Sequence, residues 1–324
     1  MDKNKIILLR WIGRFGNRMF QYAFGCAYAK KYNCTFYVPS VWEGDYIFKP
    51  NRYVKIITDD QLRLYVNQEN IAYNYLDDYL KKALRNYNLS NNDQCQFITF
   101  NDLKYHGLTN IAFHDLNSMY YQHNYNLIND DIITDIFTFN DNVLNSKLYK
   151  TLSLNQNNYD VVHLRRGDIA DKNYSGAHSC ISKESYIQMI KTLNLSNIIW
   201  VSDDINERTS MPYHSFSGGQ YWLFPMGEQL QEYIFFDFFP DFLIIYFART
   251  IIRGNSAFSW WASTLSHSGS IYSPDIEAKP KGLENNYYLS HCHFIKGNHK
   301  HFMNFQYKNQ FDDIIFQNCK RYNK

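Results

Sequence analysis

Six consecutive residues, His163-Leu164-Arg165-Arg166-Gly167-Asp168, carry the densest chemistry in the chain. They follow the apolar pair Val161-Val162 and so stand where a buried strand gives way to a loop. Open α/β sheets place their ligand-binding groups at that position. Arginine presents forked donors that match phosphate oxygens, and its charge cannot be titrated away. Asp168 can hold one guanidinium but cannot neutralise two, which leaves the other for an anion. The competing reading is an internal Arg–Asp pair that ties the loop to the sheet. His163, inside the strand end, serves equally well as a core histidine.

Three more segments have the same strand-end character. Gly13-Arg14-Phe15-Gly16-Asn17-Arg18 is a glycine turn between a strand and a helix, where bare backbone and a helix N-terminus favour an anion or hydroxyl oxygens. It fits neither GxGxxG nor a P-loop. Asn255-Ser256-Ala257-Phe258-Ser259-Trp260-Trp261-Ala262 opens a helix with small hydroxyl residues. Ser256 and Ser259 suit phosphate, and Trp260 and Trp261 suit core packing. Val201-Ser202-Asp203-Asp204 ends a further strand in paired carboxylates. The chain has no Asp-x-Asp for a metal–diphosphate complex, and no Gly-x-Ser-x-Gly elbow, HExxH or Walker A loop. His291-Cys292-His293 invites a zinc reading, but no second ligand cluster accompanies it and a turn is expected there.

Those segments need strands and crossover helices to position them. Ile6–Leu9 reads as a strand, Gly13–Asn17 as a turn, Met19–Lys31 as a helix and Thr35–Val38 as the next strand, a βαβ unit that implies a parallel sheet. Between 44 and 150 the chain is polar and rich in Asn, Asp and Tyr. There Leu76–Tyr87 is expected to be helical, with short strands within 95–113. A second series follows: strands at Val161–Leu164, Ile198–Ser202, Tyr221–Phe224, Thr250–Ile252 and finally Ser270–Tyr272, with helices at Lys183–Leu193, Asp241–Arg249 and Ser259–Ser266. The expected class is α/β, with two Rossmann-like lobes, 1–150 and 151–324, facing a central cleft and ligands expected at the strand carboxyl ends and in that cleft.

Composition narrows the field. At 324 residues, 45% hydrophobic and 20% charged, the chain is long enough for a core without staples and too apolar for wholesale disorder. A net charge of +2 does not suggest a chain built to coat nucleic acid or an anionic membrane. Six cysteines without a CxxC pair make no disulfide framework. The apolar runs are too short for a signal-peptide core or a membrane span, so a soluble intracellular protein is expected.

Taken together and in order, the four segments resemble the α-1,2-fucosyltransferases of glycosyltransferase family 11, which have a metal-independent GT-B fold. The opening is similar to that family's Gly-Gly-Leu-Gly-Asn-Gln-Met-Phe-Gln-Tyr. His163 to Asp168 keeps its HxRRxD intact, and Val201–Asp204 resembles Phe-Ser-Asp-Asp. The stretch from Asp241 to Trp261 resembles one that starts at an Asp and ends in Asn-Ser-Ser-Phe-Ser-Trp-Trp.

The resemblance implies a GT-B-like arrangement, with 1–150 on the acceptor side, 151–324 binding the nucleotide sugar and the tail returning to the first lobe. It also implies GDP-β-L-fucose as donor, an acceptor oligosaccharide, inversion at the anomeric carbon, and no metal or other cofactor. It makes Arg165 the diphosphate contact, offers His163 and Asp241 to guanine, and completes the phosphate cradle with Ser256 and Ser259. Arg166, Phe258, Gly13, Gly16 and Asn17 join the donor side by the same carry-over. Arg165 and Asp168 are the catalytic candidates, with Asp171 and Asp45 as further candidates for the base that takes the acceptor proton. Arg14 and Arg18 replace a Gly and the Gln of the opening motif, and Phe15 and Ala257 are milder departures. Two alternatives stay open: a GT-B transferase for another nucleotide sugar, and a catalytically impaired glycan-binding protein.

Overall fold

The computed structural model describes residues 4–11, 13–65, 96–98, 111–113, 130–165, 183–202, 238–254, 256–266, 270–276 and 292–297. They divide into two compact units, Met1–Asn140 and Asp141–Lys324, and each builds its own sheet.

In the first unit, β1 (Lys5–Leu8) is wholly buried and pairs in parallel with β2 (Thr35–Val38), which pairs with β3 (Val54–Ile56). On the other side of β1 lies β5 (Ile111–Phe113), followed by β4 (Gln96–Ile98), for an order β3-β2-β1-β5-β4. Helix α1 (Phe15–Tyr32) crosses over from β1 to β2. It starts four residues before the expected Met19, because Arg14 is extended and its carbonyl accepts from the N–H groups of Asn17 (2.9 Å) and Arg18 (3.1 Å). Gly16 and Asn17 are therefore the first helical turn and not part of the loop. A first-turn glycine gives up no intrahelical donor bond, so its poor propensity weighs little there. The helix stops at Asn33, whose left-handed φ of 49° lets its N–H close back on the Ala29 carbonyl.

In the second unit the central strand is β6 (Asp160–Leu164), with β7 (Ile198–Ser202) on one side and β8 (Thr250–Ile252), β9 (Ser270–Ile276) and β10 (Cys292–Gly297) on the other, all parallel. The region of Cys292 is thus strand, not turn, and β9 is not the last strand; a parallel partner decides this where local pattern does not. One face of the sheet (Val162, Leu164, Trp200, Ile252) packs on Tyr186, Met189 and Ile190 of the helix Lys183–Thr192. The helix Phe239–Tyr246 contacts β6 and packs on the helix Ala257–Leu265. Each unit is the Rossmann-like α/β layer expected from the sequence. The strand expected at Tyr221–Phe224 and the helix at Leu76–Tyr87 lie outside the described residues. No helix among the described residues is long and apolar enough to cross a membrane.

Candidate functional site

The chain leaves β6 for β7 on one side and returns to β8 on the other, so the sheet's topological switch point lies between β6 and β8. Ligands of open α/β sheets bind at the carboxyl ends of such strands. Register shows what converges there. Val161 faces Ile251 and Val162 faces Ile252, so one step further His163 stands beside Arg253. Val162 and Ile252 point into the core on one side. Side chains alternate along a strand, so His163, Arg165 and Arg253 share the opposite face.

His163 is the centre of this end. It is 5% exposed, its ring centroid lies 5.8 Å from that of Phe258, and its Nδ1 makes no hydrogen bond among the described residues. Burial first, then the positive charges of Arg165 and Arg253, push its pKa down to about 3, so the ring is neutral across the physiological range. Gly254 follows Arg253 for a steric reason: a Cβ there would fall 2.8 Å from both Nδ1 and the carbonyl oxygen of His163, and 3.4 Å from Cβ of Arg165. Bare backbone is what lets the two strand ends meet.

The serine-rich turn leads directly out of this contact. Ser256 is the N-cap of the helix Ala257–Leu265, its Oγ accepting from the N–H of Phe258 at 3.2 Å. Ser259 is fully buried and donates its hydroxyl to the Gly254 carbonyl at 3.2 Å, so it braces the turn. Phe258 lies against His163 and also against Phe238 (6.1 Å) and Phe242 (5.6 Å), which flank the buried Asp241 on either side along the chain. Asp241 occupies the first turn of its helix, behind Pro240. Trp260 and Trp261 are core residues, as expected. One strand-end cluster therefore gathers His163, Arg165, Ser256, Phe258 and Ser259, and the buried Asp241 is the chain neighbour of Phe242, which packs on Phe258. Arg166, Asp168, Asp171, Asp203, Asp204 and Asn255 lie outside the described residues.

Arg253 carries no motif signal, yet it is 8% exposed and sits beside the sharpest motif. Its alternation with Ile252 on an apolar strand was the available clue.

Gly13, Gly16 and Asn17 belong to the first unit, at the carboxyl end of β1, which is that sheet's own switch point. Gly13 has a φ of +69°, and a Cβ there would collide with the Asn17 side chain. Arg18 is tied down: its Nε donates to the Gly13 carbonyl (3.1 Å) and its Nη1 to both carboxylate oxygens of Glu43 (2.8 and 2.9 Å). Beside it Trp11 stacks on Trp42 (5.1 Å) and donates its indole N–H to the Ser40 carbonyl, while Val41 and Tyr46 are exposed. The Asp45 carboxylate accepts the Trp42 backbone N–H, and the protein packed around it raises its pKa although much of the residue faces solvent. Among the described residues no three His, Cys, Asp or Glu side chains are grouped to hold a metal ion.

No protein-family model and no curated protein matches the sequence. Solved structures do match its fold. POFUT1 in complex with GDP is 12% identical with a TM-score of 0.50, over 84% of this chain and 97% of that one. NodZ α-1,6-fucosyltransferase soaked with GDP-fucose is 14% identical at a TM-score of 0.47, over 83% and 94%. Fucosyltransferase NodZ from Bradyrhizobium is 13% identical at 0.47, over 83% and 95%. At such identities what is shared with POFUT1 is the α/β fold.

Proposed function

We propose that this chain is an inverting glycosyltransferase that moves L-fucose from GDP-β-L-fucose to a hydroxyl of an acceptor glycan, forming an α-1,2 linkage without a metal ion. The observation that carries the reading is the meeting of His163, Arg165 and the capped serine turn at the β6–β8 switch point. The ordered motifs and the fold shared with POFUT1, which was crystallised with GDP, support it.

In this reading the acceptor oxygen attacks the anomeric carbon from the face opposite the leaving group. The bond to the β-phosphate breaks, and GDP departs with an added negative charge. Arg165 strengthens its hold on the diphosphate as that charge grows, and the N-terminus of the helix Ala257–Leu265 contributes its dipole. His163, held neutral, and Asp241 address guanine, Asp241 by accepting from the N–H edge of the base. Asp168 takes the acceptor proton. The first unit receives the acceptor, where the partly exposed Trp11, backed by the buried Trp42, and the exposed Tyr46 each offer aromatic surface suited to a sugar ring.

The test is transfer of labelled fucose from GDP-fucose to a panel of galactose-terminated oligosaccharides, with the product linkage read by NMR. Arg165→Ala should keep the fold and lower the rate about a hundredfold or more. Wild-type failure on every acceptor, or an Arg165→Ala rate within about twofold of wild type, would sink the reading.

A further inference from the structure

We propose that Arg253 is a second anion-binding guanidinium of this site and grips the phosphate oxygens of the nucleoside diphosphate together with Arg165. The proposal rests on the nucleotide-sugar reading and names a residue that neither the motifs nor the resemblance assign.

Placement is the first argument. The β6–β8 register sets Arg253 beside His163, on the same face of the sheet as Arg165, so each of the two strands that bound the switch point delivers one arginine to its carboxyl end. The backbone there is held firmly, since the Arg253 N–H continues the ladder to the Tyr272 carbonyl at 2.8 Å. A side chain launched from a paired strand end is better preorganised than one on a loop.

Burial is the second. Arg253 is 8% exposed beside His163, whose ring lies against Phe258, at a place where an apolar residue would be less costly to desolvate. His163 adds no third cation, because its ring stays neutral between the two guanidinium groups that act on it. Two fixed positive charges around one neutral ring suit a ligand with two adjoining negative groups, which is what a diphosphate offers. Arginine's planar fork can take two oxygens at once, a geometry lysine lacks.

The experiment is calorimetric titration of the full chain with GDP, GMP, guanosine and inorganic diphosphate, for wild type, Arg253→Met and Arg253→Lys, with circular dichroism to check the fold. Because Arg253 acts on phosphate alone, Arg253→Met should weaken GDP about ten- to a hundredfold, the range expected for a charged hydrogen bond, and leave guanosine unchanged. Arg253→Lys should fall between. An unchanged ratio of GDP to guanosine affinity in the variants overturns the proposal. Should Arg253→Met fail to fold, Arg253→Lys decides by the same ratio. If wild type binds inorganic diphosphate but no guanine nucleotide, the fucosyl-donor reading falls and Arg253 is judged on diphosphate alone. If wild type binds neither, both fall.

Discussion

Gly254 lies against His163 so closely that one added methyl group would reach 2.8 Å from its ring nitrogen and its carbonyl oxygen at once. This contact joins the ends of β6 and β8 and sets the distance at which the motif histidine and the serine turn can act together.

Gly254→Ala should therefore damage the site more than its size suggests. Backbone is among the colliding atoms, so the strand end must shift, at a cost of about 1–3 kcal/mol. The expected outcome is a lowered urea midpoint and a larger loss of nucleotide affinity. An alanine variant with wild-type midpoint and affinity would show that the two strand ends are not in this contact.

His163 makes a pH prediction. Its folded pKa of about 3 lies below the ordinary histidine value of 6.5, so between those values the unfolded chain binds a proton that the folded chain refuses. Stability is then full above about 6.5 and declines as pH falls toward 3, by at most about 1.4 kcal/mol per pH unit from this residue. His163→Gln should flatten that part of the urea-midpoint profile. Parallel profiles for variant and wild type would remove the buried neutral ring from the account.

Much of this was legible. Strands β2, β6, β7 and β8 were readable to within a residue, since parallel strands buried on both faces spell continuous apolar runs such as Ile198–Val201. Helix starts were less readable. Pro240 marks a first turn beginning at Phe239, and Ser256 is the cap before Ala257, yet both helices were expected two residues later. β3 is short and largely exposed at Lys55 and Ile56, and β10 depends on β9 for its pairing, so neither leaves a local pattern. Arg253 was hidden for a related reason: its place beside His163 is a matter of register between strands far apart in sequence.

Arg18 illustrates the opposite case, a departure from the motif that the structure accounts for. It forms a half-buried ion pair in which Nη1 reaches both Glu43 oxygens, and so has a structural task. A double-mutant cycle with Arg18→Gln and Glu43→Gln should give a coupling of about 1 kcal/mol in urea unfolding, reduced in molar salt. Zero coupling at low salt would contradict it.

Arg249 clasps the fully buried Asp160 at the opposite end of β6 from His163, with contacts of 3.0 and 2.6 Å. Arg249→Ala leaves a buried carboxylate uncompensated and should cost about 3 kcal/mol, with little effect on nucleotide affinity in the folded fraction. A variant that unfolds like wild type, or one that stays stable and loses the nucleotide, would contradict the assigned role.

The most direct test of the central claim is a thermal-shift titration of the full chain with GDP, GDP-fucose, UDP and ADP, each with and without EDTA. GDP and GDP-fucose should stabilise the chain, with indifference to EDTA and a far weaker effect of UDP or ADP. At a hundredfold excess over the dissociation constant the gain should be about 2.7 kcal/mol. Selectivity for UDP, dependence on a divalent ion, or no response to any of the four would contradict it.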